Sequence, residues 1–229
     1  MSFQKATREL RTPLLLIQAT SGSGKTYSSL CLMKGITSGG KMAIIDTENK
    51  RSAIYADEFD FFIRNLAPNE QNINGYIAAM EEAKDKVDGL IVDGISPAWK
   101  DLLEKSNKME GNSYQNWGKL TPLQDKFISY IQNYPKPLIC TVRMKQGTAL
   151  EVNEKGKTVV KKVGLEAVQR NDLEYEFDIA FTIDRDSHKA SLAKCNYREV
   201  EKYFEENGGE VLLTEEVGQI LSKIIKRLS

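Results

Sequence analysis

The sequence predicts an α/β fold built on a mainly parallel sheet. Short apolar runs alternate with helix-like segments through the first two-thirds of the chain. The runs are continuously apolar rather than alternating, as strands covered on both faces are. A glycine-rich turn also stands directly between the first run and a helix start.

Residues 14–17 form that first run, and residues 27–36 form the helix pattern beyond the turn. Residues 42–45, 90–93 and 138–142 are the next core strands. Ile73–Lys84 reads as a helix leading into the strand at 90. Ser96-Pro97 reads as a helix start, with a capping hydroxyl and proline at the first helical position. Residues 105–120 read as a polar loop carrying Tyr114 and Trp117. Those rings suit base stacking, or packing of the loop onto the domain, the better reading for Trp117. Thr121-Pro122-Leu123-Gln124 has the form of a capping box and predicts a helix with Leu123, Phe127 and Ile131 on one face.

The pattern changes after Arg143. Residues 148–152 and 157–162 predict a hairpin turning at 153–156. Residues 174–183 and Ala190–Cys195 predict strands added antiparallel to the sheet. Thr214 is placed to cap a terminal helix whose apolar stripe is Val217, Ile220, Leu221, Ile224, Ile225 and Leu228.

The turn at 19–26 reads Ala19-Thr20-Ser21-Gly22-Ser23-Gly24-Lys25-Thr26. This is a phosphate-binding P-loop in its proper setting of strand, turn and helix. Gly22 and Gly24 let successive N–H groups point at phosphate oxygens. Lys25 is spaced to reach the β- and γ-phosphates, Thr26 offers a hydroxyl to Mg²⁺, and the helix N-terminus adds its dipole. Ala19 stands where glycine is more usual, and a small residue suffices there. The motif therefore implies ATP and Mg²⁺. Asp93 ends a buried strand, where a carboxylate supports Mg²⁺ opposite the P-loop hydroxyl. Glu48 lies just past another strand end; its spacing suits equally a general base for water and a solvated loop carboxylate.

These residues carry a resemblance. Asp46-Thr47-Glu48, with Tyr55 seven residues on, resembles the RecA segment bearing the catalytic glutamate and an adenine-stacking tyrosine. Val142-Arg143-Met144-Lys145-Gln146-Gly147 is similar to the RecA segment that leads from a core strand into a DNA-binding loop. Asn116-Trp117, residues 141–145, and the stretch from Lys162 through Gln169-Arg170 to Asp178 resemble compact phage-encoded RecA-like ATPases of the annealing and recombination type. The likeness covers roughly residues 10–200. It implies one RecA-like domain over residues 1–229, with a basic hairpin insertion around 146–170 and a C-terminal helix at 214–228. It also implies a homo-oligomer with nucleotide at the subunit interface. Thr141 replaces the RecA glutamine that senses the γ-phosphate. Lys194 retains the first lysine of a Lys-x-Lys pair that acts on the neighbouring subunit, though by itself it reads as an exposed strand lysine.

Lys+Arg and Asp+Glu both total 32, which argues against coating nucleic acid by charge alone. Between Arg143 and Arg170, however, seven basic residues face three acidic ones, a local net charge of +4. Lys155, Lys157, Lys161, Lys162 and Arg170 are the candidates for following a single-stranded DNA backbone. The same hairpin could serve as the cationic lid of a small-molecule kinase, the alternative enzyme class. A third reading is a binding module switched by ATP. Cys31, Cys140 and Cys195 show no metal or disulfide spacing, and no leader or membrane-length run is evident; the expectation is a cytoplasmic protein, in the host cytoplasm if phage-encoded. His188 reads as a turn residue.

Overall fold

The computed structural model describes residue 5 and residues 12–152 and 158–227. In it the apolar runs are sheet strands: β1 (Leu14–Ala19), β2 (Met42–Asp46), β3 (Phe62–Asn65), β4 (Gly89–Asp93) and β5 (Leu138–Val152). They are followed by β6 (Thr158–Ala167), β7 (Ile179–Ile183), β8 (Ala190–Cys195) and β9 (Glu210–Val211). The order is β3-β2-β4-β5-β1-β7-β8-β9, with β6 paired to β5. Strands β3, β2, β4, β5, β1 and β7 run parallel; β8 pairs antiparallel with β7, and β9 antiparallel with β8. This is a P-loop NTPase core.

Side chains of β1 alternate between two apolar layers, as the two-residue strand period requires. Leu14 and Leu16 face one layer; Leu15, Ile17 and Ala19 face the other. The first is closed by α2 (Ile73–Lys84), α3 (Ser96–Lys108) and α4 (Ser113–Gln132) through Tyr76, Leu102 and Phe127. The second is closed by α1 (Lys25–Thr37), α5 (Arg198–Glu206) and α6 (Glu215–Arg227) through Leu32, Phe204 and Leu221. Thr214 does cap α6, its hydroxyl accepting from Val217 N at 3.3 Å. Helices α1 and α6 touch at two glycines. A β-carbon on Gly35 would stand 2.0 Å from Glu215 O, and one on Gly218 2.3 Å from Leu32 O.

Five local expectations are corrected. Strand β7 is parallel to β1, not an antiparallel addition. Strand β5 runs far past residue 142 and β6 returns beside it, pairing from Val152↔Thr158 down to Met144↔Ala167. Residues 168–178 continue that descent until Asp178 N donates to Leu14 O. The hairpin's return limb thus does the work of a crossover, and β7 starts level with β1. Residues 174–176 lie in a 3₁₀ turn, Leu173–Glu176, rather than in the strand. Residues 105–120 are mostly helical, and α4 begins at Ser113, capped by Asn112, whose side chain accepts from Gln115 N at 2.9 Å. Thr121-Pro122 therefore lies inside α4; buried Leu120 and Phe127 hold the helix to the core on both sides of the proline. Ser96 is the first residue of α3, not its cap, and its buried hydroxyl accepts instead from Arg143 N at 3.1 Å.

Candidate functional site

The site forms at the carboxyl ends of β1, β2, β4 and β5, where open parallel sheets place their ligands. Gly22 and Gly24 have φ of 82° and 84°, which side chains with a β-carbon rarely adopt. The loop closes over its own backbone: Lys25 Nζ donates to Ala19 O at 3.2 Å and to Thr20 O at 2.7 Å. Thr20 and Ser23 hydroxyls bond at 3.0 Å, while Ser21 at the tip is exposed. Helix α1 starts at Lys25, so its first N–H groups face the turn.

Asp93 is the centre of the arrangement. Its Oδ2 accepts from Thr26 Oγ1 at 2.7 Å and its Oδ1 from Thr141 Oγ1 at 2.8 Å. Thr141 Oγ1 in turn accepts from Gly94 N at 2.8 Å. Burial pushes the Asp93 carboxyl above its ordinary value, and the two hydroxyl bonds oppose that rise. Burial likewise lowers the Lys25 ammonium, while the Asp93 and Glu48 charges act against it. A P-loop hydroxyl and a carboxylate meeting 2.7 Å apart form an all-oxygen donor set that fits a hard cation such as Mg²⁺.

Glu48 stands beside this group, on a turn held by Asp46. Asp46 is 1% exposed. It accepts from Glu48 N at 2.6 Å, Ser52 N at 2.9 Å and Ser52 Oγ at 2.5 Å. The turn needs such support because Asn49 and Lys50 both adopt left-handed backbone, φ 60° and 61°. Glu48 Oε1 accepts a fork from Arg143, Nε at 3.0 Å and Nη2 at 2.5 Å. Tyr55 follows on the same excursion, half-buried, with its ring edge-on to Tyr27 at 5.5 Å between centroids. Tyr27 is the neighbour of Thr26, so Tyr55 is grouped with the P-loop helix.

Other candidates lie elsewhere. Lys194 pairs with Ala180, which is level with Leu16, three residues before the loop-bearing end of β1. Its ammonium donates to Tyr175 O at 2.6 Å and Phe177 O at 2.7 Å, towards the amino ends of the parallel strands. The lysine ties β8 to the turn before β7 and lies away from the P-loop of its own chain, which leaves its expected role on a neighbouring subunit untouched. Arg170 is engaged with Asp125 on α4 at 3.1 Å. Lys161 and Lys162 occupy β6 opposite Ala149 and Thr148. Lys155 and Lys157 lie outside the described residues. Trp117 stacks on Trp99, centroids 5.3 Å apart, so it packs the domain, whereas Tyr114 is 90% exposed.

Three site residues escaped the sequence reading. Arg143 follows Thr141 by two, a strand spacing that puts both on one face, so its position was open to inference. Asp46 carries the same signal as Asp93, an acid ending an apolar run. His188 carried none: its turn folds back so that a β-carbon on Gly24 would stand 3.6 Å from its Nδ1. Among the described residues no cluster of His, Cys, Asp and Glu has the form of a metal site, and no helix is long and apolar enough to cross a membrane.

Fold and loop together define a P-loop nucleotide-binding domain. A family model for the AAA domain matches residues 12–223, and the chain belongs to that family of P-loop ATPases. No curated protein matches it.

Proposed function

We propose that this chain is a Mg²⁺-dependent, RecA-like ATPase that binds single-stranded DNA and assists annealing or recombination of phage DNA in the host cytoplasm, as a homo-oligomer. One observation carries the reading. Strand β5 carries Thr141, bonded to the phosphate-site carboxylate Asp93, and continues, through a register shift between Gln146 and Thr148, into the β5–β6 hairpin, where the local basic excess lies. A single strand thus joins the nucleotide site to the candidate DNA surface. Lys25 and the loop amides bind phosphate, and Thr26 and Asp93 would hold the metal. Mg²⁺, when bound, would supply neutralisation of phosphate charge. Glu48 takes the proton of the attacking water, Tyr55 borders the base, and Thr141 relays the state of the site along β5.

The test is ATP turnover with and without a single-stranded oligonucleotide. The reading expects phosphate release that DNA stimulates. It further expects replacement of Lys155, Lys157, Lys161 and Lys162 by glutamine to weaken DNA binding and flatten its log–log salt dependence by roughly 0.7 per lost contact. Turnover indifferent to DNA, with unchanged DNA affinity in the glutamine variant, would remove the nucleic-acid half of the proposal. Phosphate appearing on an added nucleoside would replace hydrolysis with kinase chemistry.

A further inference from the structure

Arg143 occupies a position that the ATPase reading leaves without a task. Its backbone is fixed at both ends of the peptide unit: N donates to Ser96 Oγ at 3.1 Å, and O accepts from Val168 N at 2.7 Å. Its side chain is free to choose partners, being 43% exposed. That side chain is spent on Glu48, with Nε and Nη2 both directed at Oε1. Glu48 Oε2 meets a second guanidinium, Arg51 Nη1 at 3.5 Å. The intended base is therefore held by two cations at once.

A carboxylate works as a base only through an oxygen that faces water. In this arrangement Oε1 already accepts two charge-assisted bonds, which are among the stronger ones a protein makes. Oε2 has only the 3.5 Å contact to the largely exposed Arg51, so drawing Arg143 away would give Glu48 a second oxygen free to face water. The neighbours say what would draw it. Arg143 is on the face of β5 that carries Thr141, and its charge is felt at Lys25, the lysine of the phosphate loop. A planar guanidinium pairs as well with phosphate oxygens as with carboxylate, and a terminal phosphate carries more negative charge than one glutamate.

We propose that Arg143 is a γ-phosphate sensor acting within its own chain. It exchanges Glu48 for an oxygen of ATP's terminal phosphate, and by leaving it frees Glu48 to face water. ADP lacks that phosphate, so the Arg143–Glu48 pair stays closed on ADP. Hydrolytic competence thus appears only with the nucleotide that can be hydrolysed. The inference rests on the ATPase reading and adds to it a regulated base.

The exchange makes Glu48 a competitor of the γ-phosphate, and this sets the test. Calorimetry measures binding of ADP and of the non-hydrolysable β,γ-imido analogue of ATP to the parent, Arg143→Gln, Glu48→Gln and the double variant. Arg143→Gln should lose about ten- to hundredfold of the preference for the analogue over ADP, with ADP affinity unchanged. Glu48→Gln should raise that preference, because Arg143 has lost its competing carboxylate. The double variant should behave as Arg143→Gln alone. A purely structural arginine would move both nucleotides together, and that result overturns the proposal. So does an unchanged preference in Arg143→Gln, which leaves the ATPase reading standing. A parent that binds neither nucleotide overturns both. Should Arg143→Gln fail to bind ADP, Arg143→Lys, which keeps the charge without the fork, is judged by the same ratio.

Discussion

Asp46 and Asp93 are register partners at the ends of adjacent parallel strands, both almost fully buried. By sequence the two are interchangeable: an aspartate closing an apolar run. Their partners differ. Asp46 is saturated by the backbone N–H of Glu48 and by both donors of Ser52, all within six residues on its own turn. Among the described residues the Asp93 carboxylate accepts from two hydroxyls, Thr26 on α1 and Thr141 on β5. A backbone donor tied up in a turn has nothing else to offer. A hydroxyl can turn away and present its own oxygen to a cation. Asp46 is therefore a staple that shapes the turn carrying Glu48, and Asp93 is a carboxylate poised for a ligand.

The largest expected effect lies at the end of the stapled turn. Glu48→Gln should keep nucleotide binding and lower ATP turnover by about 10²–10⁴-fold, because glutamine cannot take a proton from water. Steady-state phosphate release checks this, and a parental rate would reduce Glu48 to a loop carboxylate. Next comes the staple itself. Asp46→Asn turns an amide towards donors that need an acceptor. It should cost about 2–4 kcal/mol in urea unfolding and, by loosening Glu48, should also depress turnover. Normal stability would mean that the turn is shaped by something other than Asp46.

Asp93 should behave in the opposite way. Burial holds its carboxyl above the ordinary 3.8 in the folded protein, so the folded state keeps its proton to higher pH than the unfolded chain does. The stability from that difference is fully present below the unfolded value, about 4, and is lost as pH rises through the folded value. Asp93→Asn removes the loss. Without nucleotide, the variant should gain on the parent as pH rises from about 4, read from urea midpoints at several pH values. A difference that does not change with pH would deny Asp93 its shifted titration. The smallest effect is Ser52→Ala, which removes one of three donors to Asp46 and should cost about 1–2 kcal/mol.

The same contrast shows how much of this molecule was legible in its sequence. The P-loop was readable because its chemistry is contiguous: eight successive residues hold the glycines, the lysine and the hydroxyl. The core strands were readable because burial on both faces leaves unbroken apolar runs at 14–17, 42–45 and 90–92. The start of α4 was misread because Thr121-Pro122 imitates a helix start, whereas Asn112, the real cap, sits in a polar stretch that resembles a loop. The direction of β7 depends on where a hairpin's return limb delivers the chain, and no local pattern encodes that. The Arg143–Glu48 pair spans 95 residues, and only the fold shows it. Lys194 carried a family resemblance, but its two carbonyl partners are set by the turn before β7.

The division between the two aspartates is tested most directly by the effect of Mg²⁺ on nucleotide affinity. Calorimetric titration of the β,γ-imido ATP analogue, with Mg²⁺ and with excess chelator, gives that effect for the parent, Asp93→Asn and Ser52→Ala. If Asp93 serves the metal and Asp46 serves the turn, Asp93→Asn loses most of the gain due to Mg²⁺ while Ser52→Ala keeps it at the parental level. An Asp93→Asn protein that retains the full Mg²⁺ gain would contradict the account.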